Sequence, residues 1–284
     1  MPDDKAKRYV RQLEDDEEPE VDPKVERDLS KILGHLSPSK IDMYLRCAKQ
    51  IEWRYVKGLV APPSIAMVEG SRYHDTAALR NTRLMSGKKD VSVKEMTQYF
   101  QDTFVDLLNK GGKKDINWED ETPDGVLGRA ERLVPELHSK LAPLGRPKHV
   151  EEMSTCPVGG IPFKFIVDLV DEVGVADYKV ISRKKNQNDV DASIQLSVYA
   201  FKYKTKKVRL DTLVKGKSNG GADRLWSTRG PADFKWLNVV AQGVWDAMLA
   251  GHFPPCDPAS WVCSPKWCGY YSRCRGACYS TGRK

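Results

Sequence analysis

The sequence predicts an α/β (α+β) fold with a mixed central β-sheet flanked by helices, and three observations lead to this class. Residues 36–145 contain apolar side chains mainly at helical spacing. From about residue 148 the apolar period changes to two, which is typical of strands. A helix, further strands and a long helix follow, an order that favours a sheet covered by helices.

Four helices are predicted in the first half of the chain. Ser37 or Ser39 is a candidate N-cap for the first helix, and Pro62 and Pro63 end it. Breaks rich in glycine and lysine, such as NKGGKKD, separate the others. The predicted segments are LSPSKIDMYLRCAKQIEWRYVKGL, EGSRYHDTAALRNTRLM, SVKEMTQYFQDTFVDLLNK and GRAERLVPELHSKLAPLG.

Three antiparallel strands are predicted next, because turn residues separate three segments of period two. The turns lie at Gly159 and Gly160 and at DEVG. The strand segments are HVEEMSTCPV, PFKFIVDLV and VGVADYKVI. The helix DASIQLSVYAFKYK, the strands KVRLDTLVKG and DRLWSTR, and a helix from about Pro231 to Leu249 complete the order.

The net charge of +7 is unevenly distributed along the 284 residues. Residues 1–30 carry 11 acidic and 6 basic side chains, which gives this segment −5 and the rest of the chain +12. We therefore predict an acidic, disordered leader over residues 1–35 and a basic body that suits a polyanion such as DNA. A basic surface without a specific role remains the alternative.

The remaining chain is predicted to form a single domain over residues 36–284. It would consist of a helical part (36–145), a sheet and helix with the candidate site (146–230), and a C-terminal helix with a cysteine cluster (231–284). No apolar stretch is long enough for a membrane helix, and no signal sequence follows Met1. A cytoplasmic protein without a membrane partner is expected, in a bacterium or phage-infected cell and associated with the nucleoid.

Two aspartates and a lysine stand in otherwise apolar strands, where burial without a partner is costly. Alternation places Asp177 and Lys179 on one face, and Asp168 lies beside them if 163–170 and 173–180 form a hairpin. Convergent carboxylates suit Mg²⁺ or Mn²⁺, and a nearby lysine can stabilise developing charge. These groups could hydrolyse a phosphodiester, although an exposed Asp–Lys pair on an edge strand remains open.

Three further residues are candidates for the same site. Gln195 and Tyr199 are separated by four positions on a predicted helix and share one face. His74 follows Gly70 at the predicted start of an early helix, where it could bind a metal or contact a phosphate. Taken singly, His74 could equally be an ordinary partly buried histidine and Gln195 a solvated helix residue.

These residues occur in the order G-x3-H, D, D-x-K and Q-x3-Y. In that order they resemble the motifs of PD-(D/E)XK nucleases of the RecB-like group, which includes CRISPR-associated and phage-borne exonucleases. The segment from residue 36 to 59 is similar to the opening helix of many members, and the resemblance covers about residues 36–280. It implies a restriction-endonuclease-like core and metal-dependent hydrolysis of DNA.

The resemblance also implies a metal site. His74, Asp168 and Asp177 would bind Mg²⁺ or Mn²⁺. A backbone carbonyl, that of Tyr178 or Val180, would join them. The second carboxylate is aspartate where many superfamily members have glutamate, although aspartate is usual in the RecB-like group.

The remaining matched residues would support catalysis. Lys179 would position the attacking water, and Gln195 and Tyr199 would brace the site or contact the DNA backbone. Asp171 competes with Asp168 for the first acidic position, but its odd offset and its place before Gly174 favour a turn residue.

The chain contains seven cysteines, four of them near the C-terminus. In an intracellular protein they are not expected to form structural disulfides. The resemblance implies a structural [4Fe-4S] cluster held by Cys47, Cys263, Cys268 and Cys274. The C-x5-C gap matches the family pattern and the C-x4-C gap does not, so Cys256 or Cys278 could substitute; on chemistry alone, four thiolates suit Zn²⁺ equally well.

Basic residues near the candidate site predict contacts with the DNA backbone. The opening helix carries three of them among aromatic residues, which are either stacking platforms or core. The segment SRKKNQN directly follows the lysine strand. The predicted DNA-binding residues are Arg46, Lys49, Arg54, Arg183, Lys184 and Lys185.

The sequence therefore predicts a metal-dependent deoxyribonuclease, an exonuclease acting on single-stranded or frayed DNA ends in recombination, repair or phage DNA processing. No helicase motif is present, so any helicase or recombination partner would be a separate chain. The alternatives are a structure-specific endonuclease with the same site, a non-catalytic DNA-binding scaffold stabilised by a metal cluster, and a zinc-stabilised interaction protein.

Overall fold

The computed structural model describes residues 28–112, 116–216 and 220–278. Two compact units are distinguished, one formed by the chain up to Ala61 and from Gly243 onwards, the other by Pro62–Gln242. The prediction of a single domain over residues 36–284 stays a prediction. None of the helices in these described ranges is both long and apolar enough to cross a lipid bilayer.

Helices and strands follow the predicted order. In chain order they are α1 (Leu29–Leu33), α2 (Pro38–Arg46), α3 (Ala48–Ile51), a π-helical turn (Glu52–Val56), α4 (Ile65–Met85), α5 (Val93–Leu107), a second π-helical turn (Leu108–Gly112), α6 (Pro123–Lys140), β1 (His149–Val158), β2 (Ile161–Val170), β3 (Val175–Ile181), α7 (Gln187–Asp191), α8 (Ile194–Tyr203), β4 (Lys207–Val214), β5 (Gly221–Thr228), α9 (Pro231–Leu249) and α10 (Tyr271–Cys278).

The first unit corrects two of the predictions. The leader was expected to be disordered to residue 35, but α1 forms there, with Asp28 as its N-cap and Leu33 only 2% exposed. Residues 1–27 of that leader lie outside the described residues. The opening helix was expected to be continuous, but it breaks at Cys47, whose backbone is extended (φ −166°, ψ 99°). Ser37 is confirmed as the N-cap, because its hydroxyl accepts a hydrogen bond from the Lys40 amide at 3.1 Å.

The second unit contains a five-stranded mixed sheet in the order β1-β2-β3-β4-β5. The β1–β2, β2–β3 and β4–β5 pairs are antiparallel, as predicted for the first three strands, and β3 and β4 are parallel. The parallel pair requires a crossover, which α7 and α8 provide.

The β1–β2 hairpin has a two-residue turn that determines its register. Gly159 and Gly160 both have positive φ (59° and 81°), the backbone that such a turn needs and that glycine adopts without strain. The turn pairs Val158 with Ile161, and the ladder continues outward from there.

Helices cover both faces of the sheet. On one face α4, α5 and α6 form an apolar core that includes Tyr73, Phe100, Phe104 and Leu133, each 2% exposed or less. On the other face α8 contributes Leu196, Tyr199 and Ala200, all fully buried. At the buried positions of these strands a polar group is removed from water and needs a partner.

A buried network of charged side chains stabilises the β2–β3 turn. Asp171 accepts hydrogen bonds from the amides of Val173 and Gly174, which confirms it as a turn residue. Its other oxygen lies 2.6 Å from Arg209, and both side chains are fully buried. Arg209 also contacts Asp211, which in turn accepts hydrogen bonds from Arg224 at 2.7 and 2.8 Å. The charge of Asp171 is thus compensated by Arg209, far along the chain, and Asp171 is engaged structurally.

Candidate active site

The candidate site lies where β2 and β3 separate. These strands pair only at Leu169 with Ala176 and at Val170 with Val175. Beyond these pairs the Tyr178 amide donates to the Asp168 carboxylate at 2.7 Å. A side chain thus replaces the main-chain acceptor of a regular ladder, and Asp168 is fixed within the gap.

Asp177 and Lys179 lie on the β3 side of this gap, as the alternation predicted. Asp177 is 1% exposed, and its Oδ1 lies 2.7 Å from Lys179 Nζ. The same Nζ donates to Gln195 Oε1 at 3.1 Å. Gln195 donates to the Tyr199 hydroxyl at 2.6 Å, and that hydroxyl donates to the Ile166 carbonyl at 2.5 Å. The ammonium group is therefore oriented by a chain of hydrogen bonds that ends on the backbone of β2.

The other side of the gap carries a histidine and a second acid. His74 Nδ1 lies 3.3 Å from Glu151 Oε1 and 3.6 Å from Asp168 Oδ2. One ligand atom from each of these three side chains lies within 4.8 Å of the other two. The site therefore offers two carboxylates and an imidazole at spacing that could hold a metal ion.

Glu151 reaches this position through an unusual backbone. Its φ is +43°, a left-handed conformation that is uncommon for residues other than glycine. In the β1–β2 ladder it lies opposite Asp168, between the pairs Val150–Leu169 and Glu152–Val167, and that one position is unpaired. Such local strain is typical of functional sites.

The electrostatics of the site favour binding of a cation. Burial alone would lower the pKa of His74, but the carboxylates of Asp168 and Glu151 raise it to about 9. Burial, reinforced by the charge of Asp177, raises the pKa of Asp168 to about 8. Protons are thus retained near neutral pH, because the carboxylates of Asp168, Asp177 and Glu151 lie close together and Asp168 is buried. A divalent cation would replace these protons, and the oxygen and imidazole donors fit Mg²⁺ or Mn²⁺.

Most of the predicted site residues meet here. Asp168, Asp177, Lys179, Gln195 and Tyr199 are joined by the contacts above, and His74 faces them. His74 was expected near the start of its helix, but α4 begins at Ile65, so His74 lies within the helix rather than at its positive end. A metal role for His74 thus depends on its imidazole alone.

Glu151 was not predicted as a site residue, although the hairpin register indicates its position. A two-residue turn at Gly159 and Gly160 pairs Val158 with Ile161, and counting outward places Glu151 opposite Asp168. The predicted ligand Asp177 is not in the group of three atoms within 4.8 Å, and its Oδ1 is occupied by Lys179. Its part in metal binding stays a prediction.

Comparison with known proteins identifies the family. A family model described as the PD-(D/E)XK nuclease superfamily matches residues 35–275. The chain belongs to this superfamily. The residues predicted for its motif are Asp168 in β2 and Asp177-Tyr178-Lys179 in β3, and this assignment stays a prediction. The expected restriction-endonuclease-like core, with a five-stranded mixed sheet flanked by helices, is thus confirmed, and a nucleic acid is the substrate class that membership implies.

One solved structure supports the fold assignment. A protein from Eubacterium rectale that is provisionally assigned as an exonuclease is similar with a TM-score of 0.50 and 12% identity, over 86% of this chain and 92% of that one. The protein SSO0001 matches with a TM-score of 0.37 and 14% identity, over 88% of this chain and 92% of that one. At 12% identity the first likeness shows the fold alone. No curated protein sequence matches the chain.

Five cysteines of this PD-(D/E)XK protein converge in the unit formed by the segments up to Ala61 and from Gly243. Cys47, Cys256, Cys263, Cys268 and Cys274 all line one small cavity of about 20 Å³ and form no disulfide. We call these five residues the cysteine cluster. The side chain of Cys278 is outside the described residues.

Two sulfur atoms of the cysteine cluster accept hydrogen bonds. The Cys256 amide donates to Cys47 Sγ at 3.4 Å, and Gln50 donates to Cys268 Sγ at 3.5 Å. Burial and the neighbouring thiols of Cys47 and Cys263 raise the pKa of Cys256 to about 12. The extended backbone at Cys47, which interrupts the opening helix, places this residue in the cluster. The predicted ligands are therefore together, with Cys256 as a fifth.

The predicted DNA-binding residues have different surroundings. Arg183, Lys184 and Lys185 are exposed directly after β3, and Lys185 is paired with Asp189 at 3.1 Å. Their role in DNA binding stays a prediction.

In the other unit, the three basic residues of the opening helix pack on its own side chains or backbone. Lys49 is paired with Glu52 and lies over the Trp53 ring at 5.7 Å. Trp53 is 2% exposed, so the interpretation of this aromatic residue as core is confirmed. Arg46 donates to the Asp42 carbonyl, and Arg54 lies over Tyr55.

Proposed function

We propose that this chain is a metal-dependent deoxyribonuclease of the RecB-like group that acts as an exonuclease on single-stranded or frayed DNA ends, without sequence preference. The observation that carries the proposal is the gap between β2 and β3, where Asp168, Asp177 and Lys179 meet His74 and Glu151. Superfamily membership and the order of these residues support the reaction class.

In the proposed mechanism His74, Glu151 and Asp168 hold a divalent cation, Mg²⁺ or Mn²⁺, and Asp177 contributes to the same negative field. When bound, the cation supplies positive charge to the phosphoryl group and lowers the pKa of water. Asp168 is held in position by the Tyr178 amide, so its free oxygen is presented in a defined direction.

Lys179 acts beside this site. Its ammonium group donates hydrogen bonds towards the attacking water or the developing charge on the phosphate. Gln195 and Tyr199 hold it through the hydrogen bonds described above. Because Tyr199 is buried and its pKa is raised, its hydroxyl remains a neutral donor. Gln195 and Tyr199 are thus positioning residues.

The cysteine cluster is proposed to hold a [4Fe-4S] cluster through Cys47, Cys263, Cys268 and Cys274. The lining offers five thiols and no carboxylate or imidazole, a donor set that fits a soft metal or an iron–sulfur cluster. Zn²⁺ remains the alternative and is favoured by the small volume of the cavity. The role is structural, because the ligands come from both ends of the chain and closing so long a loop couples metal binding to folding.

The test is cleavage of end-labelled linear single-stranded DNA by anaerobically purified protein with Mg²⁺ or Mn²⁺. Lys179→Ala is expected to reduce kcat by about 10²–10³-fold, the typical loss for one transition-state donor. Lys235→Ala, an exposed lysine on α9, is the charge-matched control. The product ladder from each labelled end gives the polarity.

Two outcomes would contradict parts of the proposal. Cleavage of a closed circular single strand at a comparable rate would replace the exonuclease by an endonuclease with the same site. DNA binding without cleavage by the wild type, with either metal, would refute the enzyme and leave a DNA-binding scaffold.

A further inference from the structure

A groove begins at Glu151 and runs away from the candidate metal site. Its volume is about 580 Å³, within the range of ordinary ligand sites. Its lining includes Leu79, Arg83 and Lys88 from α4 and the turn after it, Tyr99 from α5, and Ile166 from β2. We call this feature the Glu151 groove.

The Glu151 groove is continuous with the site. Glu151 belongs both to its lining and to the group of potential metal ligands. Ile166 lies two residues before Asp168 on β2, and its carbonyl accepts a hydrogen bond from the Tyr199 hydroxyl, the last of the hydrogen bonds that orient Lys179. A strand with its scissile phosphate at the metal site could therefore extend directly into the groove.

The lining combines the groups that bind a nucleotide. Leu79, Ile166 and the ring of Tyr99 provide apolar surface, and Ile166 is 45% exposed although it is a large aliphatic residue. An aromatic ring beside aliphatic side chains accepts a base of any identity by stacking. The groove thus suits a partner with a flat apolar face.

The charges of the lining favour an anion at one point. Arg83 is neutralised by Glu95, at 3.1 Å through Nη1 and at 2.5 Å through Nη2. Asp75 is paired with Arg72 at 2.8 Å. Lys88 is exposed and has no carboxylate partner within the described part of the chain. Its ammonium group is the charge that the lining leaves available for a phosphate.

We propose that the Glu151 groove binds the nucleotide of the substrate strand next to the scissile phosphate, with its base against Tyr99 and Ile166 and its phosphate near Lys88. This inference rests on the proposed function. It assigns substrate positioning to three residues outside the metal site. It also gives a structural reason for the absence of sequence preference, because stacking does not distinguish bases by hydrogen bonds.

The test compares two substrates. One is a single-stranded oligothymidylate, and the other is bis(p-nitrophenyl) phosphate, a diester that has no nucleotide beyond the scissile phosphate. Tyr99→Ala is expected to lower the ratio of kcat/KM for the oligonucleotide to that for the small diester about 10-fold, mainly through KM, as expected for one lost stacking contact. Tyr99→Phe keeps the ring and is expected to restore the ratio to within about twofold. Tyr99→Leu serves where the alanine variant does not fold.

The salt dependence of the oligonucleotide KM tests the role of Lys88. Each phosphate contact on a single strand contributes about 0.7 to the slope of log affinity against log salt concentration, so Lys88→Ala is expected to reduce that slope for the oligonucleotide KM by about 0.7. Lys235→Ala is the matched control and is expected to leave the slope unchanged.

The outcomes distinguish failure of the proposed nuclease function from failure of the groove assignment. A wild-type protein that cleaves neither substrate refutes the proposed function, and the groove assignment with it. A wild-type protein that cleaves both, with a substrate ratio unaffected by Tyr99→Ala and a salt slope unaffected by Lys88→Ala, overturns the groove assignment alone. Equal losses in Tyr99→Ala and Tyr99→Phe would also overturn it, because stacking would not be the cause.

Discussion

The Tyr178 amide donates to the Asp168 carboxylate at 2.7 Å, across the gap where β2 and β3 stop pairing. The interaction replaces a main-chain hydrogen bond of the sheet with one to a side chain. Asp168 is therefore oriented by the backbone, and the two strands remain connected where they diverge.

His74, Asp168 and Glu151 form the group of side chains that could hold a metal ion, and Asp177 is not in that group. We expect Glu151→Gln to weaken Mn²⁺ binding by more than 10-fold, since it removes a carboxylate charge. Asp177→Asn is expected to have a smaller effect on binding, because its Oδ1 is engaged by Lys179. Isothermal titration with Mn²⁺ measures the affinity of both variants. A larger loss of affinity in Asp177→Asn than in Glu151→Gln would restore the ligand set predicted from the sequence.

The left-handed backbone at Glu151 predicts a trade-off between stability and metal binding. Glu151→Gly removes both the side chain and the steric conflict at φ +43°, a strain of about 1–3 kcal/mol that is partly offset by the flexibility of glycine. The melting temperature of the metal-free variant should stay level or rise, while Mn²⁺ binding is lost. A fall of several degrees in thermal denaturation would show that the Glu151 side chain stabilises the fold itself.

Gln195 and Tyr199 are expected to act through Lys179. Tyr199→Phe removes the hydroxyl that links Gln195 to the Ile166 carbonyl and should lower kcat about 10-fold with little change in KM. In the background of Lys179→Ala the same substitution should have almost no further effect, because the group it positions is gone. Steady-state kinetics of the two single variants and the double variant measure this coupling, and additive losses would rule out a positioning role.

The buried pair of Asp171 and Arg209 predicts a pH-dependent contribution to stability. Burial alone would raise the pKa of Asp171, but hydrogen bonds from Arg209 and from the amides of Leu144 and Val173 lower it. Since the folded-state pKa is below the unfolded value of about 3.9, the contribution is present at neutral pH and is lost as the pH falls through the folded-state pKa.

Asp171→Asn should therefore lower the free energy of unfolding at pH 7 by about 3 kcal/mol, because the Arg209 charge loses a buried partner. The difference from the wild type should shrink in acid. Urea unfolding at pH 7 and at acidic pH measures this difference in the free energy of unfolding. Asp120→Asn, at an exposed aspartate, is the control. A loss independent of pH would indicate packing rather than charge as the cause.

The cysteine cluster predicts which substitutions remove the metal. Cys47→Ser and Cys268→Ser are expected to abolish the bound metal and to lower the melting temperature sharply. Cys256→Ser should retain it if the ligands are the four cysteines inferred from the sequence. Iron, sulfide and zinc analysis of anaerobically purified variants, with visible absorption, distinguishes the cases. Loss of metal in Cys256→Ser with retention in Cys263→Ser would reassign the fourth ligand, and stoichiometric zinc without iron would replace the cluster by a zinc site.

Much of the fold follows from local pattern. The strands His149–Val158 and Val175–Ile181 and the helix Pro231–Leu249 follow the predicted segments closely, because alternation and helical spacing are properties of neighbouring residues. The break at Cys47 was not predicted, since the residues around it favour a helix and only the other cysteines, more than 200 positions away, explain the bend. The helix Leu29–Leu33 was missed for a similar reason, because Leu33 is stabilised by burial rather than by a strong local pattern.

The sequence by itself predicted the superfamily, through the order of motifs that resemble it, and the placement of Asp177 and Lys179 on one face of a strand, because alternation is a local property. Only the tertiary structure decided how His74 and Glu151 face Asp168, that Asp171 is compensated by Arg209, and that a groove leaves the site beside Tyr99. The physical reason is that alternation and periodicity act over a few residues, whereas these contacts depend on how the helices pack on the sheet. A backbone strained at Glu151 is stable only because that packing compensates for it.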